Sequence, residues 1–145
     1  MFPDDFLAGV RAALPSLLGL VPFGLVAGIA AVDAGLSPLQ AVGLSAVVFA
    51  GASQLAAVDL LSQDASLAVV VVTAVVINLR MAMYSASIAP YFQSLRRRWS
   101  MVCSYLLTDV SYALSITEFG EESGTDRRWY YLGVAGAIWA VWQLT

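Results

Sequence analysis

Residues 34–58 read AGLSPLQAVGLSAVVFAGASQLAAV, 25 consecutive positions without a charged side chain. A helix needs about 20 predominantly apolar residues to cross the hydrocarbon core of a bilayer, so this stretch is long enough to span one. Working outward, residues 12–32 supply 21 more uncharged positions, separated from the first run by Asp33 alone. Toward the C-terminus come residues 65–90, interrupted by Arg80; 99–117, interrupted by Asp109; and 129–144. The apolar positions are continuous and do not alternate, which favours spanning helices over the strands of a barrel. The expectation is an all-α polytopic integral membrane bundle of five helical segments, forming one membrane domain over 1–145.

Composition excludes most other classes. The 145 residues are 60% hydrophobic and 12% charged, about half the charge of a soluble domain. The net charge of −3 excludes a nucleic-acid partner. Without His, and with Cys103 the single cysteine, neither a metal site nor a cofactor motif is expected. An intramembrane serine protease is equally disfavoured, because neither His nor Lys exists to activate Ser53. The acidic opening Met1-Phe2-Pro3-Asp4-Asp5 is unlike the basic start of a signal peptide. The lipid bilayer is therefore the first expected partner.

Two features of residues 34–58 bear on mechanism. Gly51-Ala52-Ser53-Gln54 places a flexible polar patch inside an apolar run. Either this segment is broken or re-entrant and exposes backbone groups, as in many transporters, or Gly51 and Ser53 merely let helices pack closely. Counting basic residues places the Arg96-Arg97-Arg98 loop in the cytoplasm; a re-entrant second segment would put the N-terminus there too. Small-residue pairs at Gly24/Gly28 and Gly133/Ala137 mark helix contacts, and Pro15 and Pro22 suggest kinks.

The polar residues inside the remaining segments carry the most information. Arg80, preceded by Asn78, shares a helical face with Thr73, Tyr84 and Ser87. Asp109 lies midway along residues 99–117, with Tyr105 and Tyr112 on its face at i−4 and i+3. A charge at mid-membrane costs at least about 2.5–3.5 kcal/mol, so each needs a partner or water. Three outcomes stay open: a static Arg80–Asp109 pair, a pair that also handles substrate or a proton, and two groups that do not meet. Asp59 and Asp64 read as interfacial, and Glu118, Glu121, Glu122, Asp126, Arg127 and Arg128 as a solvated loop.

Pro22-Phe23-Gly24-Leu25 with Gly28, Gly35-Leu36-Ser37, Val48-Phe49-Ala50-Gly51-Ala52-Ser53-Gln54, Asn78-Leu79-Arg80 with Tyr84 and Pro90, and Asp109 resemble, in order and spacing, the AzlC family of branched-chain amino-acid permeases. The resemblance implies the large subunit of a two-component exporter. Such a protein acts with a small AzlD-type membrane subunit and moves valine, leucine, isoleucine and methionine out of prokaryotic cells, with proton coupling. It also implies a longer protein of which this chain is the N-terminal portion, in the plasma membrane. Carried over by motif, Ser53, Gln54, Asn78, Arg80 and Asp109 are the candidate substrate-binding or coupling residues. The alternative is a structural or regulatory membrane subunit that assists a partner transporter.

Overall fold

A computed structural model describes residues 3–120 and 124–145. Every regular element among the described residues is helical: α1 (Asp4–Asp33), α2 (Pro38–Val48), α3 (Gly51–Ser62), α4 (Leu67–Ile88), a 3-10 turn (Ala89–Phe92), α5 (Arg97–Tyr105), α6 (Asp109–Gly120) and α7 (Arg127–Leu144). The expected all-α membrane bundle is what the chain forms. Each of the five apolar segments is present, but two of them are interrupted. The second divides into α2 and α3, which decides for the broken one of the two readings left open there. The fourth divides into α5 and α6, where no break was expected.

Local chemistry explains most boundaries. Ser37 and Gln40 form a reciprocal capping box at the start of α2, with Pro38 in the first turn. Asp126 caps α7 by accepting from the Arg128 and Trp129 amides, and its own amide donates to Asp5, joining the starts of α1 and α7. Pro15 and Pro22 lie inside α1, which continues through both. Glu118 belongs to α6 and accepts from Thr125, so it is not part of a loop. Glu121 and Glu122 lie outside the described residues.

Packing centres on α7. It runs along α1 and also contacts α6; α3 lies against both α1 and α4. The α1–α7 contact is backbone-close because both sides lack side chains where they meet. A Cβ at Gly9 would strike the Tyr130 carbonyl, and one at Gly133 would strike the Phe6 carbonyl. Val134, Ala135 and Ile138 complete the buried face of α7.

The outer helices show the opposite pattern. α1 and α4 are long and apolar enough to cross a membrane, yet an apolar 18-residue window is only 17% buried in α1 and 6% in α4. Leu18, Val26, Val72, Val76 and Met83 are among the exposed side chains. A soluble protein buries its apolar helices; here the apolar faces point outward, toward lipid or further protein.

Candidate functional site

The first break follows from Phe49, the end of α2. Its backbone is left-handed (φ 37°), a conformation that bulky residues rarely adopt, and Ala50 is extended (φ −145°, ψ 100°). Such a residue stores on the order of 1–3 kcal/mol and persists only when its surroundings hold it. They do so here: Phe49 is buried, its ring lies 5.9 Å from that of Tyr105, and its amide donates to Ser45. The carbonyl of Ala46, freed by the break, accepts from the Tyr105 hydroxyl at 2.7 Å, and Tyr105 accepts from Trp139 Nε1 at 3.1 Å.

The second break uses the same device. α5 ends at Tyr105 and α6 begins at Asp109. The Tyr131 hydroxyl, on fully buried Tyr131, donates to the Cys103 carbonyl at 2.7 Å. Thr108 and Ser111 cap α6: the Thr108 amide donates to Ser111 Oγ at 2.8 Å, and the Ser111 amide donates to Thr108 Oγ1 at 3.2 Å. Backbone groups released inside a bilayer need such replacements, since lipid offers none. The break corrects one reading of the sequence. Tyr105 does not share a helical face with Asp109, because the helix stops between them. Tyr112 does lie on α6, stacks on Tyr84 (4.5 Å, 13°) and shares a hydrogen bond with Ser87.

Arg80 and Asp109 meet. Arg80 Nη2 lies 3.0 Å from Asp109 Oδ2, joining the middle of α4 to the first residue of α6. The start of a helix favours a carboxylate, because the backbone dipole is positive there. The two side chains keep 34% and 44% of their surface open. Tyr84 is near enough to interact with both charges.

This pair lines a cavity of about 240 Å³ where the two breaks come together. Gly51 and Ala52 of α3, Thr108 and Asp109 at the start of α6, and Arg80 supply its polar wall. Leu20, Phe23, Phe49, Met81, Ile138 and Trp142 supply the apolar one. Gly51 leaves room for two rings: a Cβ there would lie 2.5 Å from Phe23 Cε1 and 3.0 Å from Trp142 Cη2, so either ring would have to shift.

The candidate residues therefore separate. Arg80 and Asp109 share this cavity. Ser53 is fully buried and donates to the Ala50 carbonyl at 3.0 Å, so it stabilises the break and does not face the space. Gln54 is also buried and lines a second cavity, about 190 Å³, with Gly24, Gly28, Ser45 and Gln143. Asn78 lines neither, and its Oδ1 is buried without a hydrogen bond. Trp142, which lines both cavities, was not singled out from the sequence, where nothing local sets it apart from the apolar residues around it.

Residues 15–145 match the family model described as AzlC protein. The chain belongs to the AzlC family. Among its relatives, the AzlC chain is 27% identical over 141 residues to the inner membrane protein YgaZ of Escherichia coli, covering 94% of this chain and 56% of YgaZ. It is 30% identical over 137 residues to an uncharacterized membrane protein of Archaeoglobus fulgidus, covering 94% and 58%. A Helicobacter pylori membrane protein is 32% identical over 114 residues, covering 76% and 50%. The AzlC chain thus spans about half the length of the curated relatives it matches. No solved structure matches it. Family and relatives agree with the exposed apolar helices: this is a membrane protein of a transport-related family.

Proposed function

We propose that this chain carries substrate-handling groups of a transporter that exports branched-chain amino acids (valine, leucine and isoleucine) and methionine from a prokaryotic cell. It acts as a multi-pass subunit in the plasma membrane, together with a small AzlD-type subunit, and export is driven by protons. The observation that supports this most is the cavity at the two helix breaks. It joins an ion pair to an apolar wall, the combination a small zwitterion with an aliphatic side chain requires. Interrupted helices meeting at a shared space are also how many transporters bring backbone groups to a buried substrate.

In this reading Asp109 exchanges between Arg80 and either the substrate ammonium or a proton. Phe23, Phe49 and Ile138 take the side chain. Transport, not catalysis, is the activity: Ser53 is bonded to its own helical turn, and the sequence has no His or Lys to serve it as a base.

Efflux of labelled valine and methionine tests the proposal, in cells expressing the full-length protein with its small partner. Both should leave faster than from empty-vector cells; equal rates refute the substrate assignment. A second reading, a structural or regulatory subunit, is favoured by the closeness of the ion pair itself, since a 3.0 Å contact neutralises both charges without a ligand. Single substitution of Arg80 or Asp109 separates the two: a site loses transport while assembly survives, whereas a scaffold loses both together. In the double variant Arg80→Leu/Asp109→Leu, assembly with transport shows a pair that is only structural, and assembly without transport supports its substrate or proton role.

A further inference from the structure

We infer that Trp142 sets the upper size limit of the transported side chain. Its ring is the partition that closes the cavity at the helix breaks, and a small side chain in its place extends that cavity to admit aromatic amino acids. The inference rests on the proposed reading that this cavity holds the transported amino acid, and it names the residue that confines that molecule to compact aliphatic side chains.

Two cavities meet at one side chain. The first, about 240 Å³, holds the Arg80–Asp109 pair; the second, about 190 Å³, is lined by Gly24, Gly28, Ser45, Gln54 and Gln143 among others. Among the described residues, Trp142 is the only one that lines both. Its ring reaches toward a glycine of each. A Cβ at Gly51, in the first cavity, would lie 3.0 Å from Trp142 Cη2, and one at Gly24, in the second, would lie 3.7 Å from Cε3. The benzo ring of the indole therefore stands across the boundary.

A wall limits size only where it cannot swing aside. Trp142 is 6% exposed, and the Phe23 ring lies against it with centroids 5.7 Å apart and planes tilted by 43°. Its backbone is held as well. α7 is packed along α1, and Ile138, one turn earlier, is buried at the same cavity. A buried ring in close-packed surroundings turns only if its neighbours move.

The enclosed space selects the ligand. At about 240 Å³ the first cavity lies below the roughly 300 Å³ at which ordinary small-molecule sites begin. With Trp142, Phe23 and Phe49 already in its wall, it takes a branched aliphatic chain; a substrate bringing a ring of its own has to displace one of these, and such overpacking is costly. Loss of the Trp142 ring joins the two cavities and nearly doubles the space. The added part has a polar wall. Gln54 is buried there and its Oε1 has no hydrogen bond, an acceptor matched to an indole N–H. Tryptophan is therefore the amino acid that the enlarged cavity favours most.

The test is equilibrium binding of radiolabelled leucine to the full-length protein with its small partner in detergent, with phenylalanine and tryptophan as competitors. Wild type should bind both aromatic amino acids at least about tenfold more weakly than leucine. In Trp142→Ala tryptophan should gain at least about tenfold, with a smaller gain in Trp142→Phe, which keeps a ring against Phe23. Ile138 lines the first cavity and not the second, so Ile138→Ala enlarges the space without opening the partition and should give tryptophan less than Trp142→Ala does. Free indole should raise the thermal midpoint of Trp142→Ala, by filling the vacated ring site, and leave that of wild type unchanged. Three results overturn the size limit while the amino-acid reading stands: aromatic competitors that bind wild type as well as leucine does, equal tryptophan gains in Ile138→Ala and Trp142→Ala, or continued exclusion of tryptophan by Trp142→Ala. Where Trp142→Ala does not fold, continued exclusion by Trp142→Phe decides in the same way. If wild type binds no leucine while indole stabilises Trp142→Ala alone, the partition stands and the amino-acid reading falls. If leucine does not bind and indole stabilises neither protein, both fall.

Discussion

Arg80 is held by a single carboxylate oxygen, and the guanidinium Nε is buried with no hydrogen bond. Removing Asp109 alone therefore leaves a cation in the bilayer with no counter-charge. Asp109→Leu or Arg80→Leu should each cost about 2.5–3.5 kcal/mol, read as a lower midpoint of thermal unfolding in detergent. The double variant should recover most of the loss, because no lone charge remains. Singles as stable as wild type would show that the pair contributes nothing to the fold. Gly51 fails differently. Its missing Cβ would press on Phe23 and Trp142, so Gly51→Ala should cost about 1–3 kcal/mol by overpacking. Adding Phe23→Leu should return part of that stability; no recovery would place the strain elsewhere.

At the scale of elements, both interrupted helices are held by tyrosines that replace lost helical hydrogen bonds. Tyr131→Phe leaves the Cys103 carbonyl without its donor in a buried place and should cost about 1–3 kcal/mol. Thermal unfolding in detergent measures it, and an unchanged midpoint would mean that water or a rearranged turn supplies the bond. Tyr105→Phe should cost less, since Tyr105 is 45% exposed. These devices also show where sequence reading stops. The break near Gly51 was legible because Gly and Ser interrupt an apolar run locally. The break at residues 106–108 was not, because Leu106-Leu107-Thr108 is an ordinary helical sequence. What favours the break is a tyrosine 28 positions from Cys103 together with a Thr108–Ser111 cap. Leu106 and Leu107 carry no breaking signal, so the bond from Tyr131 on α7 and the Thr108–Ser111 cap together tip the balance.

For the whole molecule, exposed apolar faces of α1 and α4 predict that the protein sediments with membranes and stays there after alkaline washing, leaving only in detergent. Recovery as a soluble monodisperse species after ordinary lysis would contradict the membrane assignment. The membrane class, the five apolar segments and the presence of two charges within them were determined by the sequence alone. Transfer of a segment into lipid depends on its summed side-chain hydrophobicity, a property of composition over about 20 consecutive residues. The meeting of Arg80 with Asp109, the parting of Gln54 and Asn78 from them, and the place of Trp142 at the cavity were decided by the tertiary structure. Each depends on which helices touch and at what rotation, and residues as distant in sequence as Gly51 and Trp142 become neighbours only once α1, α3 and α7 have packed.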